Sequence, residues 1–162
     1  MDTHRSGKRI GEMLLERRLI TPRQLELALE HQRLSKRFLG AILIDLGLIT
    51  PKALLETLSE QFHIPHEPLS EGQIDWALVR RFPASLLMQG KCFPVRGDDY
   101  SVTVALANPL EVDVLSQIEK LVGMREVKPV LVLERELREV VRAYQQRTLQ
   151  ALSSQLGRHG NP

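Results

Sequence analysis

Few residues of this chain have the types and spacing that chemistry at a protein site requires. His63 and His66 have the only spacing typical of metal ligands, but a proline lies between them and no cysteine is near, which favours two loop histidines. Gly90 and Lys91 lack the upstream glycine of a phosphate-binding loop, and Cys92 replaces the hydroxyl residue that should follow. Cys92 also lies in a predicted strand, as a small core residue would. We therefore predict no catalytic residue, no metal site and no enzyme activity.

The informative spacing belongs to a repeat. Residues 9–32 align without a gap with residues 38–61, and the linker 33–37 separates the two blocks. Such similarity indicates one supersecondary unit used twice, with its apolar face buried against its copy. Two similar half-sites suit a ligand that is itself built of two similar halves. The positions identical in both blocks are Gly11/Gly40, Leu14/Leu43, Leu19/Leu48, Ile20/Ile49, Thr21/Thr50, Pro22/Pro51, Leu25/Leu54, Leu29/Leu58 and Gln32/Gln61.

Some residues of the blocks could do more than pack. Gly11 and Gly40 each lie one turn inside a helix start, where glycine costs about 1 kcal/mol relative to alanine. Close helix packing is the simpler explanation for them, and backbone approach to a ligand is the alternative. Gln32 and Gln61 could cap neighbouring backbone or read a base edge with their paired donor and acceptor. Arg9 could be a solvated charge, or its planar guanidinium could stack on a purine or bind phosphate.

Each block is predicted to form a short helix, a turn and a longer helix. In the first block Thr21 caps the longer helix, with Pro22 at its first position and Gln24 completing a capping box. The second block repeats the Thr-Pro start at Thr50 but has Ala53 in place of the glutamine, so it lacks the capping box. The four helices are predicted to form two antiparallel pairs.

Beyond residue 62 the pattern changes to alternating helices and strands. The alternation of Tyr100, Val102, Val104 and Leu106 predicts a strand with these four residues on one face. Pro129 indicates that the last strand lies at a sheet edge, because proline cannot donate to a ladder. The predicted elements are a helix from about Gln73 to Arg81, a short helix from Pro83 to near Gly90, a hairpin of strands 91–96 and 100–107, a helix 111–122, a strand 126–133 and a helix from Glu134 to about Gln150.

These elements predict an α+β fold. We expect a helical domain of two duplicated hairpins at residues 1–68 and a small α/β domain with a three-stranded or slightly larger sheet at 69–148. Residues 149–162 are expected to contain the helix end and a disordered tail that begins after Ser153. The buried stripes predicted for the two longer helices of the second domain are Val112, Leu115, Ile118, Leu121 and Val122, then Leu137, Val140, Val141 and Tyr144.

Composition narrows the classes of function. Among 162 residues, 22 Lys and Arg oppose 20 Asp and Glu, so the net charge of +2 is a weak signal for nucleic acid. An aromatic content of 4% argues against a stacking platform for single strands. The single cysteine suits a reducing compartment, and we find neither a signal sequence nor an apolar run of membrane-spanning length. We expect a cytoplasmic protein that does not insert into a membrane.

The two blocks together resemble the MshEN-type N-terminal domain of the type II secretion and type IV pilus assembly ATPases. The family's cyclic di-GMP motif is two 24-residue blocks separated by five residues, the spacing found here. Each block reads Arg-Leu-Gly, two aliphatics, a Gly-aliphatic-aliphatic turn, two spaced leucines and a final glutamine. The segment VALANPLEVDVLSQIEKLVG also resembles the family's strand, Asp-Pro turn and helix, so that the resemblance covers about residues 8–146.

The resemblance implies that cyclic di-GMP lies across the helical domain, with one half on each block. Arg9 would contact a guanine, Gly11 and Gly40 would let backbone approach it, leucines would floor the site, and Gln32 and Gln61 would supply polar contacts. The residues expected to bind the ligand are Arg9, Ile10, Gly11, Leu14, Leu15, Leu25, Leu29, Gln32, Arg37, Phe38, Leu39, Gly40, Leu43, Leu54, Leu58, Gln61 and Asn108.

Several positions depart from the family pattern. Arg18 replaces the glycine of the first turn, so a non-glycine residue must accept that geometry. Phe38 replaces the second arginine, which removes a cation but keeps a flat face that could stack on a base. Arg37 is adjacent, but one residue along a helix rotates a side chain by about 100°. Ala41 has no polar group where the family often has an acid, and Asn108 replaces an aspartate. We therefore expect binding at reduced affinity through a weakened second half-site.

Three functions are compatible with the sequence. The first is a cyclic di-GMP receptor module, without other cofactors, that regulates a secretion or pilus ATPase. The second is a nucleotide-independent docking module for an inner-membrane assembly protein, which the replacements at Phe38, Ala41 and Asn108 favour. The third is helix-turn-helix DNA binding, because residues 1–37 carry nine Lys and Arg against five Asp and Glu. The Leu25/Leu29 helix offers few side chains for base edges, so no DNA partner is expected.

Overall fold

The structure is a computed structural model that describes residues 9–158, which form two compact units divided between His66 and Glu67. The predictions for residues 1–8 and 159–162 lie outside the described residues. The elements are α1 (Ile10–Glu16), α2 (Pro22–Ser35), α3 (Leu39–Asp45), α4 (Pro51–Phe62), a 3₁₀ turn (Glu71–Gln73), α5 (Trp76–Val79), α6 (Ala84–Leu87), β1 (Cys92–Gly97), β2 (Ser101–Leu106), α7 (Val112–Val122), β3 (Glu126–Leu131) and α8 (Glu134–Arg158). Among the described residues, no helix combines the length and the apolar character that a membrane crossing requires.

The first unit has the helix–turn–helix repeats that the sequence predicts. Each block folds into a seven-residue helix followed by a longer one. The apolar positions shared by the two blocks meet in one core, so each copy buries its apolar face against the other. The fully packed core residues are Leu14, Ile20, Ala28, Ile42, Leu43 and Ile49.

The second unit contains a three-stranded sheet in the order β1-β2-β3, which confirms the mixed α+β fold. β1 and β2 are antiparallel, and β2 and β3 are parallel, with a helical crossover through α7. The turn of the hairpin is held by Asp98, whose Oδ1 accepts the backbone N–H groups of Tyr100 (2.8 Å) and Ser101 (2.7 Å). These two hydrogen bonds lower the pKa of the Asp98 carboxyl.

β3 is an edge strand, as Pro129 indicated. The N–H of Glu126 donates to the carbonyl of Tyr100 (2.8 Å), and the N–H of Val132 donates to the carbonyl of Leu106 (2.9 Å). Successive residues of a strand point their backbone groups to opposite sides, so the even-numbered residues face β2 and Pro129 faces the free edge. Proline removes a donor from that edge, which discourages pairing with another strand.

The strand predicted from the alternation is present as β2, and Val102, Val104 and Leu106 share one face of it, but Tyr100 does not belong to it. Tyr100 precedes the strand and is exposed, whereas all six residues from Ser101 to Leu106 are buried. β2 is the central strand of a sheet that is covered on both faces, and such strands bury polar and apolar positions alike. Thr103 is therefore buried next to Val102 and Val104.

The buried stripe predicted for α7 is also only partly right. Val114, Ile118 and Val122 are buried, whereas Leu121 is exposed and Leu115 is half-buried. Of the three strands, α7 packs mainly against β3. Buried residues at a spacing of four, on one side of the helix, are enough for that contact. The side chain of Val112 lies outside the described residues.

Helix boundaries differ from the prediction in two places. The expected helix 73–81 is a 3₁₀ turn followed by α5, because the Asp75 carboxylate accepts the N–H groups of Ala77 and Leu78 and starts a new helix. At the other end α8 continues to Arg158, so the disorder predicted from residue 154 is wrong as far as 158. No proline interrupts residues 149–158, and the helix extends although most of it is exposed. Leu137, Val140 and Val141 are buried as predicted, and Tyr144 is half-buried.

Candidate functional site

Both long helices of the first unit begin as the sequence predicts. Thr21 Oγ1 accepts the N–H of Gln24 (3.3 Å), and Gln24 Oε1 accepts the N–H of Thr21 (2.8 Å), which completes the capping box. Thr50 Oγ1 accepts the N–H of Ala53 (3.1 Å) without a reciprocal bond. The caps fix where each long helix starts, and therefore where the residues along it lie.

The two repeats pack reciprocally. α1 of the first repeat packs against α4 of the second, and α3 of the second packs against α2 of the first. Exchanging the two copies maps each of these contacts onto the other, so the four helices have an approximate two-fold relation. Residues at matching positions of the two blocks therefore have matching neighbours across this relation.

The repeated glycines are explained by close packing between the two helices of each repeat. A Cβ added to Gly11 would lie 2.9 Å from Cδ1 of Leu25, and one added to Gly40 would lie 2.7 Å from Cδ1 of Leu54. The contact is the same in both copies, between equivalent residues. A side chain at either glycine would have to displace this leucine methyl group, so glycine leaves room for the leucine against the short helix. Approach of a ligand to these glycines stays a prediction.

Arg9 and Phe38 occupy equivalent positions at the starts of the two short helices. Each is the extended N-cap residue of its helix, α1 and α3 respectively. The N–H of Arg9 donates to Glu12 Oε2 (3.0 Å), while its guanidinium is exposed and makes no hydrogen bond or ion pair within residues 9–158. Phe38 is 50% exposed. The first repeat thus presents a cation where the second presents an aromatic ring.

Gln32 and Arg37 are engaged with the linker and with α3. Gln32 Nε2 donates to the carbonyl of Arg37 (3.0 Å), which ties the end of α2 to the linker. The Arg37 guanidinium pairs with Asp45 Oδ2 (2.6 Å), at the last residue of α3. Gln61 also has a partner in the structure. The spacing of the two blocks does not indicate that Asp45 pairs with Arg37.

The leucines predicted to floor the site differ in exposure. Leu14 and Leu43 are fully buried, so they support the surface from beneath. Leu25 and Leu54 are half-buried against the glycines. Leu29 is 37% exposed, whereas its counterpart Leu58 is 9% exposed. The apolar surface available to a ligand is therefore greater at the first repeat's long helix. Ile10, Leu15 and Leu39 are half-buried around the same core.

The turns between the helices have the same left-handed conformation in both repeats. Arg18 has φ 56° and its counterpart Gly47 has φ 69°. Arg18 thus adopts a left-handed backbone conformation that glycine adopts at no steric cost, as the alignment of the two blocks predicts. The duplicated backbone is thus preserved although the residue at this position is not.

A polar contact that the sequence did not reveal joins the two repeats. The Arg17 guanidinium, at the end of α1, donates to Thr57 Oγ1 (3.3 Å) and pairs with Glu60, both on α4. Thr57 is fully buried, and its hydroxyl donates to the carbonyl of Ala53 (2.8 Å). The residue equivalent to Arg17 in the second repeat is Leu46, which is apolar and packs against the core. The Arg17 connection between α1 and α4 therefore has no equivalent at Leu46, at the end of α3.

Asn108, the last residue predicted for the ligand site, lies in the second unit. Its Oδ1 accepts the N–H of Leu110 (3.0 Å) in the loop between β2 and α7. Its contribution to a ligand site stays a prediction.

A cavity with charges of both signs lies in the second unit. Its volume is about 570 Å³, and none of the predicted ligand-binding residues lines it. Both acidic and basic side chains line it, together with the exposed Met124. The charged residues that line it are Asp75, Arg81, Asp98, Asp99 and Arg125.

The Cys92 thiol lies in the core, and His63 lies at the end of a helix. Burial, with a smaller contribution from the Glu111 carboxylate, raises the pKa of the Cys92 thiol to about 12. Cys92 is therefore a protonated core residue at neutral pH and a poor nucleophile, as its strand position predicted. His63 ends α4 in a left-handed conformation. Within residues 9–158, no three His, Cys, Asp or Glu side chains are grouped as metal ligands would be.

The chain is similar to proteins of pilus assembly and phage adsorption. The MshEN domain family matches residues 62–151, most of which lie in the second unit. The chain is 32% identical over 119 residues to the type IV pilus assembly ATPase PilB of Thermus thermophilus, a match that covers 72% of this chain and 13% of that protein. It is 30% identical over 133 residues to bacteriophage adsorption protein B of Escherichia coli, covering 82% and 18%. The chain therefore spans less than a fifth of the length of these relatives.

Two solved structures have the same fold. MshE with cdg superposes with a TM-score of 0.77 at 25% identity, covering 85% of this chain and 99% of that one. This coverage of the present chain is larger than the second unit alone can supply, so it includes helices of the first. The N-terminal domain of XpsE superposes with a TM-score of 0.68 at 23% identity, covering 88% and 97%, and this likeness shows the fold alone.

Proposed function

We propose, because the chain belongs to the MshEN domain family, that it is a cyclic di-GMP-binding regulatory module of a type II secretion or type IV pilus ATPase system. It binds the dinucleotide through its helical unit and acts on an ATPase in the cytoplasm without catalysing a reaction itself. The similarity to PilB supports the ATPase context, and the similarity to MshE with cdg (cyclic di-GMP) supports the ligand.

The observation that carries this proposal is the reciprocal packing of the repeats. Cyclic di-GMP has two equivalent guanosine phosphate halves related by a two-fold axis. In the helical unit α1 contacts α4 as α3 contacts α2, so equivalent residues of the two blocks are related in the same way. A two-fold ligand on such a surface meets the same backbone twice.

Arg9 has the strongest individual role in the proposed site. Its guanidinium is exposed at the start of α1 and has no partner among the described residues, so it is available to a guanine or a phosphate. The exposed ring of Phe38 is available for stacking at the equivalent position of α3. The half-sites therefore bind by different means, and the first is expected to contribute more.

Isothermal titration of the intact chain with cyclic di-GMP tests the proposal. Saturable binding is expected, and Arg9→Ala should weaken it roughly ten- to a hundredfold, because a charged hydrogen bond contributes about 1.5–3 kcal/mol. Arg23→Ala is the matched control, since Arg23 is an exposed arginine on α2 outside the proposed site. Phe38→Arg should tighten binding by supplying the second cation. Absence of binding by the folded chain would contradict the proposal.

A second candidate is a nucleotide-independent docking module for an inner-membrane secretion assembly protein. The observation that favours it is the apolar surface of α2 and of the start of α3, where Leu27, Leu34 and Phe38 are exposed. Such side chains are typical of a protein contact when they are grouped. No heat with cyclic di-GMP, from a chain with the circular dichroism of a folded α+β protein, would favour this function over the first.

A further inference from the structure

We propose that Asp45 limits the affinity of the second half-site by holding the Arg37 guanidinium away from it. This inference rests on the proposed function, because it concerns the same cyclic di-GMP site. It assigns a role to an acidic side chain that does not itself contact the ligand. Arg37 is the cation nearest in sequence to the position where Phe38 has replaced the second arginine.

Three interactions fix the linker around Arg37. Its carbonyl accepts Gln32 Nε2 (3.0 Å), its N–H donates to Ser35 Oγ (3.4 Å), and its guanidinium pairs with Asp45 Oδ2 (2.6 Å). Arg37 precedes α3, whereas Asp45 is the last residue of that helix. The side chain therefore runs along α3 instead of remaining at its start.

The position of the carboxylate determines where the cation lies. Phe38 and Asp45 are seven residues apart, which is about two turns, so they lie on one face of α3 roughly 10 Å apart along its axis. The proposed ligand contact is at the Phe38 end. The first repeat differs, because the exposed Arg9 guanidinium lies at the start of α1 and has no ion-pair partner among the described residues.

A phosphate of the ligand and the Asp45 carboxylate would compete for one guanidinium. Asp45 lies roughly 10 Å along α3 from the proposed contact, so Arg37 cannot hold this carboxylate and a phosphate at the Phe38 end at the same time. The pair is exposed, with about half of each side chain accessible, and exposed pairs are weak. Removing the competitor should therefore strengthen ligand binding by about two- to fivefold and no more.

Asp45→Asn tests the inference, because asparagine keeps the shape of aspartate and removes its charge. Titration with cyclic di-GMP at low ionic strength should show affinity two- to fivefold higher than that of the unmodified chain. Asp45→Asn combined with Arg37→Ala should lose this gain. Glu30→Gln is the matched control, since it removes one exposed carboxylate of the same unit and should leave affinity unchanged. The gain should shrink at high salt, where exposed charges are screened.

The outcomes separate this inference from the proposed function. If the unmodified chain binds and Arg9→Ala weakens binding, but Asp45→Asn has no effect or weakens it, Asp45 only positions the linker and the inference is wrong. An equal gain from Glu30→Gln would assign the effect to net charge and would also overturn it. If neither the unmodified chain nor Asp45→Asn binds, both the inference and the proposed function fail.

Discussion

The two repeats of the helical unit have the same order of helices and the same turn, although α2 has 14 residues and α4 has 12, but they are stabilised differently. The first has a complete capping box at Thr21, a polar connection from Arg17 to the other repeat and an exposed cation at Arg9. The second has a glycine in its turn and an aromatic ring at Phe38. The comparison shows which features the shared fold requires, namely the buried core and the left-handed turn, and which features are free to diverge.

The largest difference between the repeats is expected at the equivalent leucines Leu29 and Leu58. Leu58→Ala should destabilise the helical unit by about 2–4 kcal/mol, because Leu58 is 9% exposed and its removal leaves a cavity. Leu29→Ala should cost only about 1 kcal/mol, because Leu29 is 37% exposed.

Hydrogen exchange of the backbone amides in the four helices α1, α2, α3 and α4 measures both losses of stability in the helical unit. Fluorescence of the single tryptophan would not do so, because Trp76 lies in the second unit. Equal losses would show that Leu29 is as well covered in solution as Leu58. The two-fold relation of the core would then extend to this pair as well.

The turn gives the next test of the comparison. Gly47→Ala should destabilise the second repeat by about 1 kcal/mol, because φ there is 69° and a Cβ is disfavoured in that region. Arg18→Gly should stabilise the first repeat by up to about 1 kcal/mol, less the entropy that glycine adds to the unfolded chain. Hydrogen exchange of the same amides distinguishes the expected loss of stability in Gly47→Ala from the expected gain in Arg18→Gly. A loss of stability in Arg18→Gly would mean that the Arg18 side chain makes a contribution beyond its backbone.

The smallest effect is expected at the helix caps. Gln24→Ala removes the acceptor for the Thr21 N–H and should cost about 0.5–1 kcal/mol. Ala53→Gln supplies the missing half of the box to the second repeat and should stabilise α4 by a similar or smaller amount. Exchange rates of the first-turn amides of α2 and α4 measure both changes. If Ala53→Gln gave no protection, the half-buried surroundings of Ala53 would be preventing the glutamine from reaching back to Thr50.

The local structure of the repeats could be predicted from the sequence because it depends on neighbouring residues. Thr21, Pro22 and Gln24 determine the start of α2 within a few residues, and the structure confirms it. Which residues of β2 are buried could not be predicted, for the opposite reason. Whether Tyr100 or Thr103 is buried depends on what covers the sheet, and that is decided by elements far along the chain.

The candidate site was predictable in part for the same reason. The spacing of the two blocks identified Arg9 and Phe38 as equivalent residues, and both are exposed at helix starts in the structure. The partner of Arg17 lies 40 residues away, at Thr57, and nothing in the spacing of either block indicates that pair. Side-chain partners set by tertiary packing, including Asp45 for Arg37, required coordinates.

The exchange of partners between α1 and α4, and between α2 and α3, has a consequence for how this architecture arose. A single hairpin of this kind would lack the contacts that its helices make with the other repeat, and association with a second copy would supply them. Fusing two copies makes that association independent of protein concentration. It also removes a constraint, because in a homodimer every substitution occurs on both sides of the axis. A one-sided exchange such as Arg17 opposite Leu46 is possible only after fusion.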